Sequence, residues 1–559
     1  MFEQKTIFHK FWHFLRTYIL TIPRFDLFLQ GTLLIVILLE ANVYLLLKRD
    51  ADTGYLPLLI RDWVFIGSTG TEFLFGALLS WYGRKKRNYA LACWIAITAA
   101  SGLLVLAFPF AEENIVNVEL CGGDIMPRDL GRTASDPMIV PRTIMLIFTA
   151  VLCSLTKLAI WSLGLTYLDD HEPQNGPYFY GILISIRLSL GLSGENWLVA
   201  SSVRNDWWVT HISLSMLTLM FAILFLLFPK RMPGYEAPKN DMDDGFFVSL
   251  REIFHNKAIV MHIISFALLN LALFEFVRYD ASYIQARFHV ETLRQDPRTS
   301  RLIGSLFRPL VVIFFIMIFR VRFSVRRQDG VKANTAARVG GIVAFFAAIF
   351  FVVLSLLSCG VEDLAGIENN EYTQPSCSQQ CNCNSEVYGY TPLCVDGTNT
   401  FFSPCHAGCS AAGEIGGLIT YHNCSCSNSA SDNAVMGSCS LISCQAMFSV
   451  YQVIFTVTLA VTGASALMQG MVPLRTTKRS ARPLAVGASL AAVALPAHLF
   501  GRLLYMLIGH VTCAYSNEGA CLFHNTSMQW MPATSAMLAL LSGAVSLIAS
   551  KCSKNITNE

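Results

Sequence analysis

Apolar residues recur along almost the whole chain in runs of about twenty, and a helical run of that length, at about 1.5 Å per residue, spans the hydrocarbon core of a bilayer. In lipid, only helices and closed barrels satisfy every backbone N–H and C=O, and these runs are too long for barrel strands. The predicted fold class is therefore an all-α polytopic membrane protein. Composition agrees: of 559 residues, 53% are hydrophobic and 14% charged, too little charged surface for a soluble domain of this size. The net charge of +3 says nothing about partners, and no nucleic-acid partner is expected.

Twelve spans are predicted: 29–47, 62–82, 89–110, 143–166, 177–199 and 207–228, then 258–279, 299–319, 338–357, 447–472, 483–509 and 530–549. Span 5 is interrupted by Arg187 and Glu195. These divide the chain into an N-terminal stretch at 1–28, a six-helix half at 29–228, a linker at 229–257, a second half at 258–549 and a tail at 550–559. The N-terminus lacks a small-residue cleavage site after a short apolar core, so the first span is expected to act as its own insertion signal.

Basic residues set the orientation. Arg84, Lys85, Lys86 and Arg87 follow span 2, Lys230, Arg231 and Lys239 follow span 6, Arg322, Arg326, Arg327 and Lys332 follow span 8, and Arg475, Lys478, Arg479 and Arg482 follow span 10. All four groups fall on one side, which places both termini in the cytoplasm. Asp169, Asp170 and Glu172 fall on the same side, against the trend.

The segment 358–446 then lies outside. It has no Lys or Arg, and eleven cysteines: Cys359, Cys377, Cys381, Cys383, Cys394, Cys405, Cys409, Cys424, Cys426, Cys439 and Cys444. In an oxidising compartment such density is a disulfide framework rather than a metal cluster. Eleven is odd, and Cys121 lies in the other sizeable outside loop, so Cys121 is expected to pair with one of them. Cys513 and Cys521 flank a short outside loop and are expected to pair with each other; Cys93, Cys153 and Cys552 are expected to remain thiols. Sequons at Asn423 and Asn525 face outside, whereas Asn555 lies inside.

Residues 390–409 carry Tyr390-x-Pro-x-Cys394, Asp396-Gly397 and Ser403-Pro404-Cys405-x-Ala407-Gly408-Cys409, a pattern that resembles a Kazal-type module. Between spans 9 and 10 of a twelve-span chain, such a module resembles the organic anion transporting polypeptide family of solute carriers. Leu163 to Asp170 (LGLTYLDD), Pro177-Tyr178-x-Tyr180-Gly181-Ile182, Phe228-Pro229-Lys230-x-x-Pro233 and Leu364-Ala365-Gly366-Ile367 after Cys359 are similar to stretches of that family. The resemblance implies a twelve-helix major facilitator fold in two six-helix halves with a small disulfide-rich Kazal-like extracellular domain. It also implies a plasma-membrane carrier, sodium-independent and working by alternating access. The implied cargo is large amphipathic organic anions such as steroid conjugates, bile salts, eicosanoids and iodothyronines. Gly76, Gly83, Arg84 and Lys85 resemble the major facilitator loop motif between spans 2 and 3, with Ser80 and Trp81 in place of its Asp-Arg pair; plain topogenic charge is the alternative. Two departures mark a divergent member. The Trp-rich signature of span 6 is reduced to Asp206-Trp207-Trp208, and Phe108-Pro109-Phe110 replaces the family's pH-linked His at the end of span 3.

Charges inside spans are costly, and are paired or functional. The candidates are Glu40, Glu72, Lys157, Arg187, Glu195, Arg308, His498 and Arg502. Arg187 and Arg308 fall nearest the middle of their spans in opposite halves, where carriers of this kind bind substrate. Arg there can hold a carboxylate or sulfate with two parallel hydrogen bonds, with Lys157 and Arg502 as further anion contacts. Glu40, Glu72, Glu195 and His498 are coupling or ion-pair candidates. Structural readings stand beside these: Arg187 paired with Glu40, Glu72 or Glu195, and Lys157 and Arg502 snorkelling to an interface. The Phe stripe of span 9 (Phe345, Phe346, Phe350, Phe351) is first a lipid-facing or packing surface. No phosphate-binding loop, HExxH pair or nucleophile elbow occurs, so no enzyme activity, cofactor or metal is expected. The competing reading is a membrane-anchored binding or protease-inhibitor module, with an extracellular protein partner and a transport-inactive scaffold. The absence of Lys and Arg from its loop argues against trypsin-like targets.

Overall fold

The computed structural model describes residues 20–52, 60–109, 119–122, 138–191, 198, 207–230, 245–288, 307–324, 331–359, 364–368, 371–383, 390–415, 418–427, 434–437, 439, 441–517 and 520–556. Glu195 lies outside these residues. Among the described residues, each predicted span coincides with helix. The first six are Ile22–Asp52, Ile60–Gly83, Arg87–Val105, Ile139–His171, Gly176–Ser185 continued by a π-helical turn at Ile186–Gly191, and Trp207–Leu227. The second six are Lys257–Phe288, Arg308–Ser324, Ala333–Leu356, Leu441–Thr476, a broken helix at Arg482–Ala494 and Gly501–Val511, and Trp530–Ile556. Ten of these segments are long and apolar enough to cross a membrane.

The helices pack in two groups. Spans 1 and 4 and spans 3 and 6 pair in the first; spans 7, 9 and 10 surround span 12 or each other in the second. The groups meet where span 2 crosses span 11 and span 5 crosses span 8. At the first crossing the backbones approach closely, as small residues allow: a Cβ on Gly487 would stand 1.8 Å from the Ser80 Oγ, and one on Gly76 2.9 Å from the Ala491 Cβ. Gly76 is therefore a helix-packing residue inside span 2 rather than part of a cytoplasmic turn. The turn itself begins at Gly83, beside Leu163, and Arg84 stacks over the Trp81 ring at 3.2 Å. Large apolar side chains such as Phe314, Phe346 and Leu503 point outward, as lipid-facing positions require, whereas Phe351 of the same span 9 stripe is fully buried against Phe276. The stripe thus serves both lipid and packing.

A five-stranded antiparallel sheet fills the segment between spans 9 and 10, in the order 399–401, 393–395, 434–436, 418–424, 409–415. Its first hairpin turns at Asp396 and Gly397, both with positive φ (55° and 70°), the backbone a two-residue turn of this hand requires. Its small core of Leu393, Val395, Phe401 and Tyr421 includes Leu120 from the loop after span 3. Disulfides do the rest: Cys359–Cys444 closes the root, and Cys377–Cys426, Cys383–Cys405, Cys394–Cys439 and Cys409–Cys424 staple the interior. Cys121 bonds Cys381, tying the loop after span 3 to the domain, and Cys513–Cys521 closes the hairpin between spans 11 and 12. A small module with so little apolar core depends on such cross-links. The domain also rests on that hairpin through Tyr390 and Phe402 against Phe523 and Tyr515. Cys93, Cys153 and Cys552 are thiols. Asn423 is exposed. Asn525 is buried and its Oδ1 accepts a hydrogen bond from Ser527 N at 2.9 Å; this corrects its reading as an accessible acceptor, because the side chain is turned in to cap the next turn.

Burial pushes His406 in the domain and His524 in the hairpin down to about 4, from an ordinary value of 6.5. Both are thus neutral when folded, and the unfolded chain binds more protons between pH 6.5 and 4. Stability contributed by keeping them neutral is present above that window and falls as pH drops through it, by about 1.4 kcal/mol per pH unit per histidine. Hydrogen exchange of the intact protein should show outer-domain protection falling from pH 6.5 to 4.5, with a shallower fall in His406→Gln.

Candidate functional site: an interface latched at two levels

Ion pairs join the two helix groups at two levels. At the end remote from the disulfide domain, span 4 ends in Asp169 and Asp170, whose side chains are almost completely buried. Arg475, at the end of span 10, grips Asp169 with two parallel bonds of 2.8 Å and also donates to Pro173 O at 2.9 Å. Arg482, at the start of span 11, donates to Asp170 at 2.9 Å and Asp169 at 3.2 Å. Arg87 of span 3 donates to Asp170 at 2.7 Å and to Thr166 O at 2.9 Å. The acidic pair that ran against the charge trend is therefore the acceptor set for the basic residues that set it. Gly176 is required here, since a Cβ would stand 2.3 Å from the Asp169 Oδ1.

Nearer the disulfide domain, Asp62 of span 2 pairs with Arg278 of span 7 and Arg502 of span 11. Arg278 also lies over the Phe65 ring at 5.0 Å. Arg502 is therefore an ion-pair residue in the interface, not a snorkelling one.

Between the two levels lie the remaining candidates. Lys157 donates to Glu40 at 2.5 Å, and Ser154 to the other Glu40 oxygen at 3.3 Å. This pair joins spans 1 and 4 and neutralises Lys157. Glu72 lies within electrostatic reach of Lys157, His498 and Glu40. Arg187 senses Glu72 and Glu40 but has no salt bridge among the described residues; its guanidinium lies over Phe274, across the interface in span 7, at 4.4 Å. His498 faces Glu275 of span 7 at 3.7 Å and stands edge-on to Phe65 at 5.1 Å. Arg187 and His498 each sit in a π-helical turn, Ile186–Gly191 and Leu495–Phe500, a backbone irregularity frequent at functional positions.

Arg308 opens the described helix of span 8, is 7% exposed, donates to Gln452 at 2.7 Å and lies over Phe455 at 5.0 Å. Nearby, Tyr451 donates to Asp280. All these partners belong to the second half. Glu195 cannot be placed. Sequence reasoning missed Asp62, Glu275, Arg278 and Asp280. Glu275 and Arg278 carried a signal, an acid and a base three residues apart on one helix face; Asp62 and Asp280 stood at the predicted edges of their spans, where charge is unremarkable.

Two groups of membrane-spanning helices, joined across their interface by ion pairs at two levels and with charged side chains between them, define a polytopic helical membrane protein. The Organic Anion Transporter Polypeptide (OATP) family matches residues 201–528, more than half of the chain. The chain belongs to that family. A mouse (Mus musculus) relative, solute carrier organic anion transporter family member 6C1, is 23% identical over 88% of this chain and 76% of its own length. Human (Homo sapiens) member 1C1 is 22% identical over 54% of this chain and 50% of its own, and Drosophila melanogaster member 74D is 24% identical over 69% and 51%. The chain thus spans only about half the length of most of these relatives. A solved major facilitator proton:xylose symporter superposes with a TM-score of 0.49 at 10% identity, covering 94% of this chain and 95% of that one.

Removing one partner of a buried ion pair costs about 3–5 kcal/mol. Asp169→Asn should therefore open the end remote from the disulfide domain in most molecules. Maleimide labelling of a cysteine placed at Met471, fully buried beside Gly176, should rise at least ten-fold. Arg475→Lys, which loses the two-bond grip, should give an intermediate rise.

Proposed function

We propose that the protein is a plasma-membrane carrier of amphipathic organic anions, with both termini cytoplasmic, working by alternating access. The observation that carries this reading is the pairing of charges from opposite halves at two levels of one interface, with Arg187 between them. Two closures on one path are what an alternating mechanism needs: each must break in turn while the other holds. Both are ionic, so each can break and re-form without disturbing apolar packing.

The anion's charged end engages Arg187, whose guanidinium lies over Phe274 across the interface and for which no salt bridge occurs among the described residues. Its apolar body lies against Phe65 and Phe274. Steroid conjugates, bile salts, eicosanoids and iodothyronines share this amphipathic form, a fixed negative group on a large apolar frame. Binding is not driven by excess positive charge, since Glu40 and Glu72 face Lys157 and Arg187 in the same region and Glu275 faces His498. The anion must instead compete with resident carboxylates. Transport is sodium-independent in this reading. The disulfide domain serves as an outer cap: its seating on the 513–524 hairpin and its bond to Cys121 favour this over a free inhibitor module.

The test is flux of a sulfated steroid into liposomes holding the purified protein. Arg187→Gln should lower the initial rate at least ten-fold while detergent chromatography shows the same monodisperse protein. Replacing sodium with choline should leave the wild-type rate unchanged. A wild-type rate in Arg187→Gln would remove Arg187 from the substrate path.

A further inference from the structure

Arg502 has more donors than its surroundings use. It is 3% exposed, and one amino group serves Asp62, but its Nε and Nη1 have no hydrogen-bond partner among the described residues. Buried donors are almost always satisfied, and an orphan at an interface marks a missing partner. The cluster is lopsided in charge as well: two guanidiniums, Arg278 and Arg502, share the single carboxylate of Asp62. Both cations come from the second half, and the carboxylate comes from the first.

We infer that Arg278 and Arg502 form an anion seat and that Asp62 is a resident competitor occupying it. The carboxylate or sulfate of an incoming anion displaces Asp62, and that exchange breaks the tie between spans 2, 7 and 11. This rests on the carrier reading and deepens it, because it names the step by which substrate binding releases one closure. The seat suits an amphipathic anion. Its charged floor is bordered by Phe65, under Arg278 at 5.0 Å, and by Tyr279 stacked on Tyr505 at 6.4 Å. The spacing is regular: Arg278 lies one turn beyond Glu275, and Arg502 one turn beyond His498. The same faces thus carry a cation level toward the disulfide domain and a Glu275–His498 level beneath it. Glu275 is 1% exposed and its Oε2 also lacks a hydrogen-bond partner among the described residues. A second carboxylate there separates this outer seat from the Arg187 level, so the anion exchanges with Asp62 before it engages Arg187.

A purely structural role for Asp62 predicts that its removal weakens or leaves unchanged the binding of anions. Competition predicts the reverse. Binding of a radiolabelled sulfated steroid to the purified full-length protein separates the two. Asp62→Asn should bind at least five-fold more tightly than wild type, and adding Arg502→Gln should abolish the gain. In Asp62→Gly, which leaves the seat empty, added acetate should compete with the steroid, whereas in wild type it should not. Binding no tighter in Asp62→Asn, or a gain that survives Arg502→Gln, overturns the proposal. Should the Asp62 variants not fold, the same exchange is read in otherwise wild-type protein carrying Ser68→Cys, buried one to two turns along span 2. The steroid should raise its maleimide labelling at least three-fold, and no rise overturns the proposal. Lost liposome flux with tighter Asp62→Asn binding would sink the carrier reading alone; normal flux with unchanged binding would sink this one alone.

Discussion

Lipid does not tolerate an uncompensated charge, and that single constraint organises this protein. Every buried cation in the described interface has an acid or an aromatic face near it: Lys157 has Glu40, Arg502 has Asp62, Arg475 has Asp169, and Arg187 has the Phe274 ring. In water such pairs would contribute little. Between apolar helices, the cost of leaving either member alone is what ties the helices together. Several of these pairs join side chains of opposite halves, so the same constraint holds the halves together.

That view accounts for the asymmetry between the two levels. The level remote from the disulfide domain is a network of three arginines on two aspartates, with the two-bond grip of Arg475 and a glycine that admits close approach. Both of its carboxylates are multiply bonded, although the Nε atoms of Arg475 and Arg482 have no hydrogen-bond partner among the described residues. The level nearer the disulfide domain has one aspartate for two arginines and orphan donors. The two levels thus differ in how many carboxylates their arginines share. The disulfide domain bears on the second, since Cys121–Cys381 links the loop after span 3 to a domain rooted on spans 9 and 10. Any separation of the halves at that end must carry the domain with it or slide beneath it.

How much of this could be read from residue order depends on the range of the interaction. The spans were legible because hydrophobicity is local and twenty consecutive residues report it. The interruption of span 5 by Arg187 was equally legible, and it coincides with a π-helical turn. The disulfide character of 358–446 was legible from cysteine density and the absence of basic residues. The partners of charges were not. Asp169 and Arg475 are some three hundred positions apart, and Asp62 looked like the polar edge of a span. Nor did its position within an apolar run foretell that Arg308 would bond Gln452 and lie over Phe455.

The sequence by itself determined that the chain is a bundle of membrane helices with an oxidised module between spans 9 and 10, because burial of apolar runs and density of cysteines are properties of short segments. It also determined some of the charges that must be compensated, such as Glu40, Lys157 and Arg187, which sit within apolar runs. Only the tertiary structure decided with what. Which acid meets which base follows from how spans 2, 4, 5, 7, 10 and 11 are rotated and crossed, and helix rotation is set by packing with distant segments. The same choice made Asp62 the shared partner of Arg278 and Arg502.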